Sequence, residues 1–259
     1  ADDEWGDEIT VRDAGRVDAL LVNDGLRSPT DYALDPTRAA AGVFRDLIIA
    51  RGVALIGSAA DGVRPADGSL TTLALIESAP LTDVLVEMLH TSDNNTAEML
   101  VKEIGFAASG LGTRQAGLDA GRSKLQEWGV PSDGLDIRDG SGLSRNNRTT
   151  CATLAALVNA SPVAGRLVGL LPAAGRDGTL KDQLLGTPAE GQLVAKTGTL
   201  TDVKALTGSQ PGSDGQPVQF SLVLNQPGAD EVAVYGPAWN ALVELIVARH
   251  QHRRGALGL

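Results

Sequence analysis

The sequence predicts an α+β body, an antiparallel sheet flanked by helices, and two observations carry that expectation. Apolar residues recur at helical spacing on both sides of a short polar junction: Leu81, Val84, Leu85, Met88 and Leu89 before it, and Ala97, Leu100, Val101 and Ile104 after it. Further along, Leu193-Val194-Ala195, Val203 to Leu206 and Phe220 to Leu224 read as strands, and strands joined by short connections run antiparallel. A chain of 259 residues with 42% apolar content buries a sizeable core, in one or two domains.

Composition narrows the function classes. A formal net charge of −10, with only three Trp, two Tyr and three Phe, offers nothing to a phosphate backbone, so nucleic acid is not an expected partner. The single cysteine, Cys151, permits no internal disulfide and supplies no zinc-ligand spacing. The first residues, Ala1-Asp2-Asp3-Glu4, lack the basic-then-apolar order of a signal peptide, and no run of eighteen apolar residues occurs. The chain is expected to be soluble as given, with any export signal or anchor outside it.

In chain order, Ile9 to Val11 and Val17 to Val22 have β-type composition, and Asn23-Asp24-Gly25 is a turn signal. Asp35 is placed to cap a helix with Pro36 at its first position, Val43, Phe44, Leu47 and Ile48 as its apolar stripe and Gly52 as its stop. Val53 to Ile56 and Leu70 to Ile76 read as strands about the loop Asp61 to Gly68. The helix pair begins at Pro80. Asn95 is expected to cap its second member with Glu98 completing a capping box, which leaves Ser92 and Asn94 in the tight connection.

Gly117 to Trp128 reads as a further helix stopped by Gly129 and Pro131, and Gly140 to Ser144 as a loop. Thr150 to Ala160 reads as a packed helix in which Cys151 is a small buried or half-buried filler and not a nucleophile. Gly208 to Gln216 is expected to join the last two strands, and Trp239 to Val247 to cover the sheet with Leu242, Leu245 and Ile246. The tail His250 to Arg254 is basic and expected to fray, without a metal site.

The chemistry concentrates at Lys196-Thr197-Gly198-Thr199, where a strand ends. Period two sends Lys196 and Gly198 to one face and Thr197 and Thr199 to the other, unless the strand twists or bulges. An ammonium for a carboxylate, hydroxyls beside it, a glycine for close approach and a backbone N–H for an oxyanion together suit a bound acyl group. A strand end turning into solvent explains the same residues. The Ser92-Asp93-Asn94 corner likewise presents a hydroxyl and an amide, or is simply what helix junctions use.

Ser-Asp-Asn followed about a hundred residues later by Lys-Thr-Gly is a joint pattern of the penicillin-recognising serine acyltransferases. With Ala79 to Leu89, Arg138 to Arg145, Ala174 to Leu180 and Ala195 to Leu200 in the same order, the chain resembles the class C D-alanyl-D-alanine carboxypeptidases, serine peptidases of family S13 that trim peptidoglycan stems. The likeness runs from about residue 75 to 245. It implies a β-lactamase/transpeptidase-like body, with residues 76–259 its C-terminal part and residues 1–75 the C-terminal part of an inserted β-rich accessory domain.

By that resemblance Ser92 relays a proton to the leaving amine, Asn94 binds the substrate peptide and Lys196 supplies positive potential beside Ser92. Thr197, Gly198 and Thr199 hold the terminal carboxylate and the oxyanion, and Leu143 borders the substrate cleft. No metal or organic cofactor is implied. The implied partners are a peptidoglycan stem peptide ending in D-Ala-D-Ala and β-lactam antibiotics, and the implied location is extracytoplasmic: periplasm, cell wall or secreted.

The family's first motif, Ser-x-x-Lys, is not found. Three residues before Lys102, Lys124, Lys181, Lys196 and Lys204 stand Met99, Gly121, Gly178, Leu193 and Thr201. A serine hydroxyl without an adjacent base is a weak nucleophile. The expectation is therefore a C-terminal portion, inactive alone, whose nucleophile is supplied by a segment absent from this chain, either as part of a longer precursor or as a companion N-terminal fragment carrying Ser-x-x-Lys. The alternative is a non-catalytic fragment that binds peptidoglycan peptides or a partner. A class A β-lactamase would need a Glu-x-x-Leu-Asn segment, and an α/β-hydrolase Gly-x-Ser-x-Gly; neither pattern occurs.

Overall fold

The computed structural model describes residues 5, 13–18, 20–28, 31–60, 62, 65, 68–159 and 162–248. The segment Ile9 to Val11 and the tail His250 to Arg254 lie outside them.

A 3-10 turn at Asn23–Gly25 leads into a two-stranded ribbon, β1 (Leu26–Ser28) with β2 (Asp31–Tyr32). Helix α1 (Pro36–Ala50) follows, its first turn closed by the Asp35 carboxylate accepting from Arg38 N–H at 2.8 Å. Helices α2 (Leu81–Thr91), α3 (Asn94–Ser109) and α4 (Arg114–Glu127) form the flank, and α5 (Cys151–Asn159) and α6 (Ala164–Gly169) precede the sheet. A 3-10 turn at Gly178–Leu180 comes next, then strands β3 (Val194–Leu200), β4 (Val203–Pro211) and β5 (Pro217–Asn225), and finally α7 (Val232–Ala248).

The sheet is an antiparallel meander in the order β3-β4-β5, so β3 is an edge strand. Tyr235, Trp239, Val243 and Ile246 of α7 bury themselves with Leu206 and Phe220 of the sheet and with Leu180 and Leu193 beside it. Helix α5 runs against β4 and β5. Close approaches require glycine at two places: a Cβ at Gly208 would sit 2.0 Å from the Val194 carbonyl oxygen, and one at Gly117 would sit 1.8 Å from that of Val101, where α4 crosses α3. Among the described residues no helix is long and apolar enough to cross a membrane.

Several expectations are corrected. Val17 to Val22 forms no strand where it is described, and Val53 to Ile56 and Leu70 to Ile76 join no sheet, with Leu73, Leu75 and Ile76 largely exposed. Alternating apolar residues suit a pleated surface but do not supply the neighbouring strand that must satisfy the backbone. Val43, Phe44 and Leu47 of α1 are exposed for the same want of a partner. The loop between β4 and β5 is shorter than expected, because Gly208 to Pro211 continue β4. Leu245 points outward at 68% exposure, since the buried stripe of α7 runs through Tyr235, Trp239, Val243 and Ile246 and Leu245 falls off it. Cys151, expected as a buried or half-buried filler, is exposed at the first position of α5, where no preceding turn covers it.

Candidate active site

The connection between α2 and α3 is two residues long. Ser92 closes α2 in the left-handed region, at φ 61° and ψ 46°. Asp93 then caps α3, its carboxylate accepting from the N–H groups of Asn95 and Thr96. The cap is thus Asp93 and not Asn95, because a carboxylate two residues earlier reaches two orphan donors at once. Glu98 is consequently free of any capping box and is fully buried instead.

Opposite this corner lies β3. The Lys196 ammonium donates to Ser92 Oγ at 2.7 Å and to the Thr197 carbonyl oxygen at 2.9 Å. Burial pushes its pKa down from 10.5 to about 8, because desolvation penalises the charged form. An ammonium only donates, so Ser92 Oγ accepts from it and keeps its own proton for another acceptor. The spacing of 104 residues is closed by the fold alone.

A second tie holds the two elements in register. Thr197 Oγ1 donates to Thr179 Oγ1 at 2.8 Å, in the 3-10 turn. The preceding Gly178, at φ +54°, lies so close to the end of α2 that a Cβ would stand 2.8 Å from the His90 carbonyl oxygen. Asp177 accepts from Ala173 N–H at 2.7 Å and lies 3.8 Å from His90 Nδ1. The turn therefore clamps β3 against the residues that present Ser92.

At Gly198 a Cβ would meet nothing nearer than Ala205 Cβ at 3.4 Å, so the protein itself does not demand the glycine. Thr199 is exposed on the edge strand, and its Oγ1 accepts from Lys204 Nζ at 2.9 Å. Asn94 and Leu143 are less open than expected. The Asn94 amide donates to the Asp13 carbonyl at 2.7 Å, and Leu143 is buried with Trp5, Ala14 and the partly buried Leu200.

Arg114, Asp139, Thr179 and Lys204 were given no role of their own from the sequence, and Glu98 only that of a capping partner. Glu98 accepts from the N–H groups of Gly140 and Ser141 at 2.8 Å each and from Arg114 Nε at 2.9 Å. Asp139 gathers Gly142 N–H, Ser144 N–H, the Asn147 amide and Trp5 Nε1. Together they fix the loop 139–144 beside α3. Glu98 does carry a partial signal in the chain, a carboxylate one turn before Val101 of the apolar stripe, where a buried position requires partners. Among the described residues no group of three or more His, Cys, Asp or Glu is arranged to hold a metal ion.

A helix junction presenting Ser-Asp-Asn to an edge strand carrying Lys-Thr-Gly is the arrangement of a transpeptidase-like body. The D-Ala-D-Ala carboxypeptidase 3 (S13) family matches residues 23–240, and the chain belongs to that family. It is 38% identical over 237 residues to the D-alanyl-D-alanine carboxypeptidase of Actinomadura sp., covering 86% of this chain and 43% of that protein. It is 33% identical over 238 residues to the carboxypeptidase DacB of Mycolicibacterium smegmatis, covering 85% and 50% respectively. Among solved structures, penicillin binding protein 4 (dacB) from Haemophilus influenzae in complex with a novel β-lactam superposes with a TM-score of 0.69 at 27% identity, over 82% of this chain and 52% of that one. The chain thus spans about half the length of the relatives it matches.

Proposed function

We propose that this chain is the C-terminal part of a serine-type D-alanyl-D-alanine carboxypeptidase that acts outside the cytoplasm on peptidoglycan stem peptides and is acylated by β-lactams. Residues 1–75 would complete an inserted accessory domain and residues 76–259 the transpeptidase-like body. The single observation that carries the reading is the 2.7 Å hydrogen bond from Lys196 to Ser92 Oγ. It joins the two motifs through a proton-bearing pair.

In the proposed reaction a serine outside this chain, activated by the lysine of its own Ser-x-x-Lys motif, attacks the carbonyl carbon of the penultimate D-alanine. The tetrahedral oxyanion collapses, the C–N bond breaks, and Ser92 relays to the leaving amine of the terminal D-alanine the proton that the motif lysine took from the attacking serine. Water then hydrolyses the ester. Lys196 keeps the potential beside Ser92 positive, Thr197 and Thr199 receive the terminal carboxylate, and the Thr199 N–H serves as one oxyanion donor. The open space at Gly198 suits the approach of the substrate backbone. Asn94 would bind the substrate peptide and Leu143 would border the substrate cleft.

The test is intact mass spectrometry with labelled benzylpenicillin. The 259-residue chain alone should gain no penicilloyl mass, whereas the chain joined by a second chain bearing Ser-x-x-Lys should gain one, lost when that serine becomes alanine. In the complemented enzyme, Lys196→Ala should lower kcat/KM on a D-alanyl-D-alanine peptide by roughly 10²-fold, and Lys181→Ala, an exposed lysine beside Asp182, should not. An adduct on the isolated chain, or equal activity of the two variants, would refute the assignment.

A further inference from the structure

Thr199 stands directly across the β3–β4 hairpin from Lys204, and the Lys204 ammonium donates to Thr199 Oγ1 at 2.9 Å. That ammonium does not wander as a surface lysine would. It lies 4.3 Å from the ring centre of Tyr235 and 5.5 Å from that of Trp239, and both residues, carried by α7, are buried in the core. A cation over aromatic faces is held by their negative quadrupole, so two core residues set where the charge sits. Partial burial lowers the Lys204 pKa, which Asp230 partly offsets, as expected for an ammonium held against the core.

Hydrogen-bond chemistry then dictates the polarity of the contact. An ammonium has donors and no acceptor, so Thr199 Oγ1 must accept from it, and its one O–H proton is left to donate on the exposed side of the edge strand. A hydroxyl that accepts from a cation is also polarised into a better donor. We propose that Lys204 is a positioning residue that aims the Thr199 hydroxyl proton at the substrate's terminal carboxylate, and thereby selects peptides ending in a free acid over otherwise identical peptides ending in an amide. The inference rests on the reading that Thr199 receives that carboxylate. It adds to it a residue outside both motifs, whose side chain does not touch the substrate.

The experiment uses the enzyme complemented with its Ser-x-x-Lys segment and two probes: an N-acylated peptide ending in D-alanyl-D-alanine, and the same peptide amidated at its C-terminus. The readout is the acid-over-amide ratio of kcat/KM. Lys204→Met, which keeps the length and loses the charge, should lower that ratio about tenfold, and Lys204→Arg should restore it to within about threefold. In a Thr199→Val background Lys204→Met should change the ratio by less than about twofold, since the lysine acts through the hydroxyl. Because the ratio is taken on one population of folded molecules, a change in stability does not move it.

An unchanged ratio in Lys204→Met overturns the inference while leaving the carboxypeptidase reading intact. The same tenfold loss in the Thr199→Val background also overturns it, because the charge would then act on the substrate without the hydroxyl. Failure of the wild-type enzyme to cleave the acid peptide overturns the carboxypeptidase reading, and this inference with it.

Discussion

At the scale of single residues the site is built from two costly choices. Ser92 holds a left-handed backbone that a non-glycine side chain adopts at a cost of about 1–2 kcal/mol, and it does so where its hydroxyl meets Lys196. Ser92→Gly should therefore raise stability, by up to about 1 kcal/mol, while it removes the proton carrier and lowers turnover of the complemented enzyme by 10²-fold or more. Chemical denaturation and steady-state kinetics on one preparation check both signs. A variant that keeps full turnover would remove Ser92 from the mechanism.

Lys196 is the other costly choice. Its pKa of about 8 in the folded chain lies below the 10.5 of the unfolded chain, so between those values the unfolded state holds the proton and the folded state does not. This group's penalty on folding is thus full below pH 8, and stability rises as pH increases from about 8 to 10.5, by at most about 3 kcal/mol. Activity should move the other way, since the positive charge is lost as pH rises through about 8. Denaturation of wild type against Lys196→Met at pH 7.5 and 10 checks the first statement, and the basic limb of the kcat/KM profile checks the second.

At the scale of elements, the loop 139–144 owes its shape to buried carboxylates. Glu98 is fully buried and satisfies two backbone N–H groups and one guanidinium. Glu98→Ala should cost about 3–5 kcal/mol, because it removes the buried acceptor from Arg114 Nε and from two amides, and adding Arg114→Ala should cost less in that background than alone. Additive losses in the four-variant cycle would show that the two side chains act separately. What was legible in the sequence at this scale follows range. The helices around Ser92 and the start of α1 are written in local spacing and in Asp35-Pro36, and the strand at Lys196 in a short apolar run. The Ser92–Lys196 contact came from two motifs occurring together, since nothing in the spacing itself brings them within 2.7 Å. Lys204 was legible in principle: Leu200 pairs with Val203 across a two-residue turn, with Asp202 at φ 65°, and that register alone puts Thr199 opposite Lys204. The Glu98 network was not legible, because two of its three partners are backbone groups more than forty residues away, for which side-chain patterns carry no mark.

At the scale of the whole molecule, apolar sequence is spent unevenly. Between Leu180 and Ile246 much of it is buried: Leu180, Leu193, Leu206 and Trp239 are nearly inaccessible and pack into one cluster between the sheet and α7. Between Phe44 and Ile76 it is not, and the stretch from Leu70 to Ile76 keeps its apolar alternation while joining no sheet. Burial of apolar area is the main favourable term in folding, so free energy should concentrate where the cluster is. Leu206→Ala should cost about 2–5 kcal/mol, as for other buried leucines, whereas Leu73→Ala, at a residue 95% exposed, should stay within about 0.5 kcal/mol of wild type. Native-state hydrogen exchange gives the same contrast without substitution. The amides of Leu73, Leu75 and Ile76 should exchange at nearly unprotected rates, while Leu206 and Gly208, inside the central strand, should exchange at least about 10³-fold more slowly and report opening close to global unfolding. Comparable protection in the two regions would mean that residues 70–76 are paired in solution, and the β-type reading of that stretch from its sequence would then be the correct one.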